Sequence, residues 1–220
     1  MSGLFGPRLA ALFGVAFAVL MFLATAALEV PHNVSAYEVT RWWSDEANQR
    51  MALFSMTADA LAAIAFCLFL SFLRDRLNVG GGTAGNPMYT VGLAFAAGLL
   101  ATAAARGVIA NALMNGEIMP LPDTLRYFPE LAYAFMEVSL MAAGACILLA
   151  SWAIKKTAAL PAWTAWVGFV TGAATMVGVL VIGSFVIPIV LVWALAMSVA
   201  VWRSGSTVAA PELRQASQPA

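Results

Sequence analysis

Residues 88–111 read MYTVGLAFAAGLLATAAARGVIAN, and one charged side chain, Arg106, interrupts the run. A helix of this length reaches about 36 Å at 1.5 Å per residue. The hydrocarbon core of a bilayer is about 30 Å thick. The stretch is rich in Ala, Leu and Gly and shows no strand-like alternation. It therefore predicts a membrane helix, with an arginine near one end that needs an explanation.

Five further apolar runs of similar length flank it, at 9–28, 52–73, 131–154, 162–183 and 185–202. Hydrophobic residues make up 62% of the 220 residues and charged residues only 10%, against roughly 25% charged in a soluble domain. The reading is an all-α fold, a polytopic bundle of six transmembrane helices in a single domain, 1–203. A polar tail, 204–220, with Pro211 and Pro219, is expected to be disordered. Only Gly183, Ser184 and Pro188 separate the last two runs, which predicts a tight helical hairpin or a shared bend. The first run has features of a signal peptide: Arg8, an apolar stretch and the small residues Ala24-Thr25-Ala26. Its apolar length, near 20, exceeds the roughly 7–15 of a signal core, so a retained helix is expected.

Lys and Arg in the flanks set orientation. One side collects Arg8, Arg74, Arg76, Lys155, Lys156, Arg203 and Arg214; the other has Arg41, Arg50 and Arg126, with Arg106 near its edge. That bias predicts both termini in the cytoplasm of a bacterial cell, with the protein in the inner membrane. Glu29, Glu38, Asp45, Glu46, Glu117, Asp123 and Glu130 fall on the outer side, which makes that face electronegative.

The connections are mostly plain. In the outer loop 29–51, Trp42 and Trp43 suit the headgroup layer, and Ser44-Asp45-Glu46 predicts the start of the second long helix. The inner segment 80–87 is rich in glycine but lacks the lysine and the strand of a phosphate-binding loop, so it reads as a linker. Pro120 and Pro122 break the outer loop 112–130, and Pro129 is placed in the first turn of the fourth long helix. The Asn33-Val34-Ser35 sequon and the lone His32 fall in a solvated loop.

Three ionisable residues lie within predicted spans: Asp59, Arg106 and Glu137. Counted from the span ends, they sit roughly 10, 7 and 9 Å below the outer surface. A charge at mid-bilayer costs roughly 2.5–3.5 kcal/mol on insertion scales. The three are therefore expected to turn inward and pair, with one guanidinium holding two carboxylates. Ser55 one turn before Asp59, Thr102 and Gly98 in line with Arg106, and Tyr133 one turn before Glu137 would border the cluster. Asn111 and Asn115 would extend it outward. The competing reading is polar glue that fixes helix register.

Cys67 and Cys146 fall at similar depth and read as inert packing. Gly168 and Gly172 form a small-xxx-small pair, read as internal packing. Lys155 and Lys156 read as topology anchors at anionic headgroups. No ligand set at zinc, haem or iron–sulfur spacing is present, so no metal or cofactor is expected. A net charge of zero argues against a nucleic-acid partner.

Residues 53–61 (LFSMTADAL) resemble part of a broad bacterial family of unknown function with six membrane helices. Residues 105–113 (ARGVIANAL) are similar to that family's arginine-bearing third span, and 160–168 (LPAWTAWVG) to the beginning of its fifth. The resemblance covers most of 50–202 and implies Asp59 and Arg106 as family-type positions. Glu137 departs from the family pattern, in which His or Gly stands nearby. The resemblance implies a fold and no activity.

The expectation for function is an outward-facing charged pocket of Asp59, Arg106 and Glu137. It would bind a small ligand, a lipid headgroup or a proton, as a transport or sensing component. The alternatives are a membrane-embedded acid/base isomerase or cyclase acting on a lipid or isoprenoid, with Asp59 and Glu137 as its acids, and a structural subunit with a membrane-protein partner.

Overall fold

The computed structural model describes residues 6–27, 35–78, 81–116 and 119–215, with side chains as far as Ser204. His32, Asn33, Glu29, Glu117 and Gly80 lie outside the described residues, as does the end of the chain from 216. All the described elements are helical: α1 (Pro7–Ala27), α2 (Ala36–Trp43), α3 (Glu46–Leu77), α4 (Asn86–Met114), α5 (Pro122–Thr157), α6 (Ala162–Ile182) and α7 (Ile187–Gln215). A 3-10 turn, Gly183–Val186, joins α6 to α7. Four helices, Pro7–Ala27, Glu46–Leu77, Asn86–Met114 and Pro122–Thr157, and the stretch Ala162–Ser204 are long and apolar enough to cross a membrane.

The last stretch doubles back on itself. A methyl group placed on Gly168 of α6 would lie 3.3 Å from Nε1 of Trp193 of α7. An unbroken helix would hold those residues about 37 Å apart. Gly183 makes the reversal with φ +59°, its N–H donating to the carbonyl of Val179. This is a backbone conformation that a side chain resists.

The six long helices form a ring. Each packs chiefly against two neighbours, in the order α1, α3, α4, α5, α6, α7, and α7 closes against α1. Successive helices run antiparallel, so the start of α1 meets the far end of α7, with the Arg8 guanidinium 5.8 Å from the centroid of the Trp202 ring. Phe17 of α1, Phe66 of α3 and Phe95 of α4 fill the middle, with ring centroids 4.9–6.0 Å apart. Small residues bring helices close: Gly144 and Gly172 face one another across α5 and α6, and Gly168 backs onto Ser151. The Gly168–Gly172 pair is thus internal packing between α5 and α6.

Three boundaries differ from the sequence reading. First, α2 occupies part of what reads as a loop. Ser35 and Glu38 form a reciprocal capping box, which satisfies the free N–H groups at the helix start. The side chains of Val39 and Trp43 then bury against Ala52, Ile109, Ala110 and Leu125. The start of α3 falls where the sequence places it, with Asp45 as its N-cap accepting from the N–H of Ala47.

Second, α5 begins at Pro122, and Pro129 lies inside it rather than in its first turn. Pro122 and Asp123 are good first-turn residues. The burial of Leu125 beneath α2 outweighs the one hydrogen bond that Pro129 forgoes. Third, the backbone of α7 continues as helix to Gln215, beyond Arg203, where the sequence reading ends the membrane domain and begins a disordered tail. Extending a formed helix is far easier than nucleating one.

Candidate functional site

α3 and α4 each present one charged side chain to the other near the α2 end of the ring. Arg106 donates from Nη1 to Oδ2 of Asp59 at 2.6 Å. The Asp59 side chain is 0% exposed and that of Arg106 8%. The other described ion pairs, Arg50–Glu46, Arg74–Asp75 and Arg126–Glu130, are half-exposed or exposed and contribute little. Ser55, one turn before Asp59, is fully buried. Its Oγ donates to the carbonyl of Ala24 on α1 at 2.8 Å and accepts from Arg106 Nη1 at 3.3 Å. One hydroxyl therefore links the pair to a third helix.

The site is incomplete on one side. Oδ1 of Asp59 is buried and has no hydrogen-bond partner. Among the described residues Arg106 makes no hydrogen bond through Nε or Nη2. Below the pair lie Ala62 and Ala63 and then the three phenylalanines, all buried. Above it sits the α2 cluster, with Trp43 1% exposed. The sequence predicts a place in the headgroup layer for Trp43. Instead its indole is sealed into the cover over the pair, and its Nε1 is also without a partner. The signal that could have found this is the Ser35-x-x-Glu38 spacing, a capping box directly before Val39 and Trp43.

Glu137 does not join the pair. It is exposed, and its Oε1 lies against the α6–α7 turn, 2.6 Å from where a methyl on Gly183 would stand. Two facts explain the misplacement. Because α5 begins at Pro122, nine residues before the predicted span, Glu137 lies further from the start of its helix than that span implies. Gly98 meets Ser139 and Gly92 meets Cys146, which puts Arg106 level with about Leu131 and Glu137 about 9 Å further along. The face of α5 that carries Glu137 and Gly144 also looks toward α6, where Gly144 touches the Gly172 carbonyl.

The flanking residues divide similarly. Thr102 is fully buried, donating to the carbonyl of Gly98 at 3.0 Å. Tyr133 is half-buried on α5, and Asn111 is exposed at the end of α4, 3.5 Å from Asn115 Nδ2. Both cysteines are free; Cys146 Sγ contacts the Met88 carbonyl at 3.5 Å.

The opposite end of the ring is basic and aromatic. Arg74 lies over Tyr89 at 4.6 Å, Lys155 over Trp166 at 5.6 Å and Lys156 over Trp152 at 5.0 Å, in addition to Arg8 over Trp202. Cations stacked on amphipathic rings suit a headgroup layer, where the ring stays in the apolar boundary and the charge reaches water. No family model, no curated protein and no solved structure matches this chain.

Proposed function

We propose that this chain is a six-span protein of the bacterial inner membrane, with both ends in the cytoplasm, and that the Asp59–Arg106 pair holds a small ligand entering from the outer side. Its orientation is supported by the excess of Lys and Arg at the end where Arg8, Arg74, Lys155 and Lys156 stack on aromatic rings. The resemblance of 53–61 and 105–113 to a bacterial six-helix family draws attention to the same two residues.

The observation that carries the site is the unsatisfied Oδ1 of Asp59. A buried polar atom without a partner is unfavourable and uncommon. A ligand that brings one donor, such as a headgroup hydroxyl or ammonium, or a single proton, would complete it. The remaining nitrogens of Arg106 suit an anionic group on the same ligand. Because α2 is held over the pair largely by apolar contacts, it is the element that would yield to admit it. Phe17, Phe66 and Phe95 close the path toward the other face, which favours sensing over transport. The acid/base enzyme reading needs a second acid beside Asp59, and Glu137 lies too far along α5 to serve.

A second reading has its own observation. The Ser55 hydroxyl bonds both Ala24 and Arg106, so the pair could staple α1, α3 and α4 with no ligand, as in a structural subunit. Native mass spectrometry of protein extracted with its own lipids separates the two. The ligand reading expects a bound small molecule that Asp59→Asn and Arg106→Gln both release. A wild-type protein with nothing bound, and variants that lose only stability, would leave the staple.

A further inference from the structure

The contact between α1 and α7 is close at Gly14, where an added methyl would collide with Oγ of Ser198. Beside this contact lies a groove of about 170 Å³, lined by Ala11, Leu12, Val15, Val199, Trp202 and Arg203. The surface within it is apolar. Ser198 also borders it but donates its hydroxyl to the carbonyl of Ala194 at 2.7 Å, so it presents no unmet hydrogen bond. Leu12, Val15, Val199 and Trp202 are 38–53% exposed, which leaves the groove open along the outer flank of the ring.

Its charge is one-sided. Arg203 is among the residues that line the groove, and the Arg8 guanidinium lies 5.8 Å from the Trp202 ring that forms its wall. No acid occurs between Pro7 and Ala27 or between Ile187 and Ser204. An arginine thus borders the apolar slot and a second lies against its Trp202 wall, with no acid in either stretch. We propose that this groove seats an acyl chain of an anionic phospholipid, whose phosphate lies between Arg8 and Arg203. Carbon lines the groove where a chain would lie, and the two nearby arginines carry the planar fork that suits a phosphate. A zwitterionic lipid would gain less there, because its own ammonium offsets the attraction. This assignment rests on the helices being membrane spans and is independent of any ligand at Asp59.

The test is native mass spectrometry of the delipidated full chain after exposure to vesicles of phosphatidylglycerol, to vesicles of phosphatidylcholine, or to inorganic phosphate alone. Retention of one phosphatidylglycerol, well above phosphatidylcholine, is expected. Arg8→Gln and Arg203→Gln should each lower it about fivefold, the effect of roughly 1 kcal/mol per basic residue. Val199→Trp, at a position 46% exposed, fills the slot from its open side and should abolish retention. Equal retention of the two lipids, full displacement by free phosphate, undiminished retention in Val199→Trp, or a dimeric mass in place of lipid would each overturn the assignment. The comparison of the two lipids on the wild-type chain depends on no variant folding. Its failure would leave the Asp59–Arg106 reading intact.

Discussion

Arg106 and Asp59, on neighbouring helices, approach to 2.6 Å with the carboxylate wholly enclosed. Removing one member leaves the other charged and unpaired in an apolar surrounding. Arg106→Leu or Asp59→Leu alone should destabilise the bundle by about 3–5 kcal/mol, whereas the double replacement should recover most of that loss. Unfolding in mixed micelles, arranged as a double-mutant cycle, measures the coupling. Additive single losses would show that the pair does not act as a unit.

Ser55 ties α1 to that pair. Ser55→Ala removes both of its hydrogen bonds and, by the scale of hydrogen bonds between membrane helices, should cost about 0.6–1.7 kcal/mol. The loss should concentrate on α1, so hydrogen exchange near Ala24 should rise more than exchange in α5 or α6. Uniform acceleration across the ring would contradict the local link.

At the α6–α7 turn, Gly183→Ala meets two penalties: a positive φ that side chains resist and a close approach by Glu137. A loss of about 1–3 kcal/mol is expected. Glu137→Gln retains the shape of its side chain and should leave the Asp59–Arg106 coupling energy unchanged. A changed coupling energy in Glu137→Gln would restore the three-residue cluster read from the sequence.

The cover helix should respond to acid. Glu38 is fully exposed, and hydrogen bonds from the backbone N–H of Ser35 and then from its hydroxyl hold the carboxyl below its ordinary value of 4.5. A lowered value in the folded state means that this cap is complete above pH 4.5 and is lost as the pH falls through the depressed value. Protection of the α2 amides, taken relative to intrinsic exchange at each pH, should therefore fall only in acid. Glu38→Gln keeps an acceptor at every pH and should flatten the profile; persistence of the acid response in that variant would assign it elsewhere.

The long helices were legible because apolar length is an additive property of the chain. Runs such as 88–111 need no knowledge of their neighbours. The Asp59–Arg106 half of the cluster was legible for a related reason, since a charge inside a span must find a partner at similar depth. Glu137 was not, because depth counted from an apolar boundary fails when a helix extends beyond it, as α5 does back to Pro122. Facing was also hidden: only the contact of Gly144 with Gly172 reveals that this side of α5 looks toward α6. Trp43 was misread because a tryptophan near a membrane surface has two good homes, the headgroup layer and a buried apolar seam. The choice depended on α2, whose capping box is short and lies in a polar stretch.

The meeting of Gly14 with Ser198 joins helices nearly two hundred positions apart, so the ring acquires its final seam only when α7 arrives. In a chain emerging from its first residue, the flank of α1 would face lipid throughout the making of α3, α4, α5 and α6. A product truncated after Ile182 would hold the pairs from α1–α3 to α5–α6 but leave the flanks of both α1 and α6 open, surfaces on which quality-control machinery or a second unfinished chain could act.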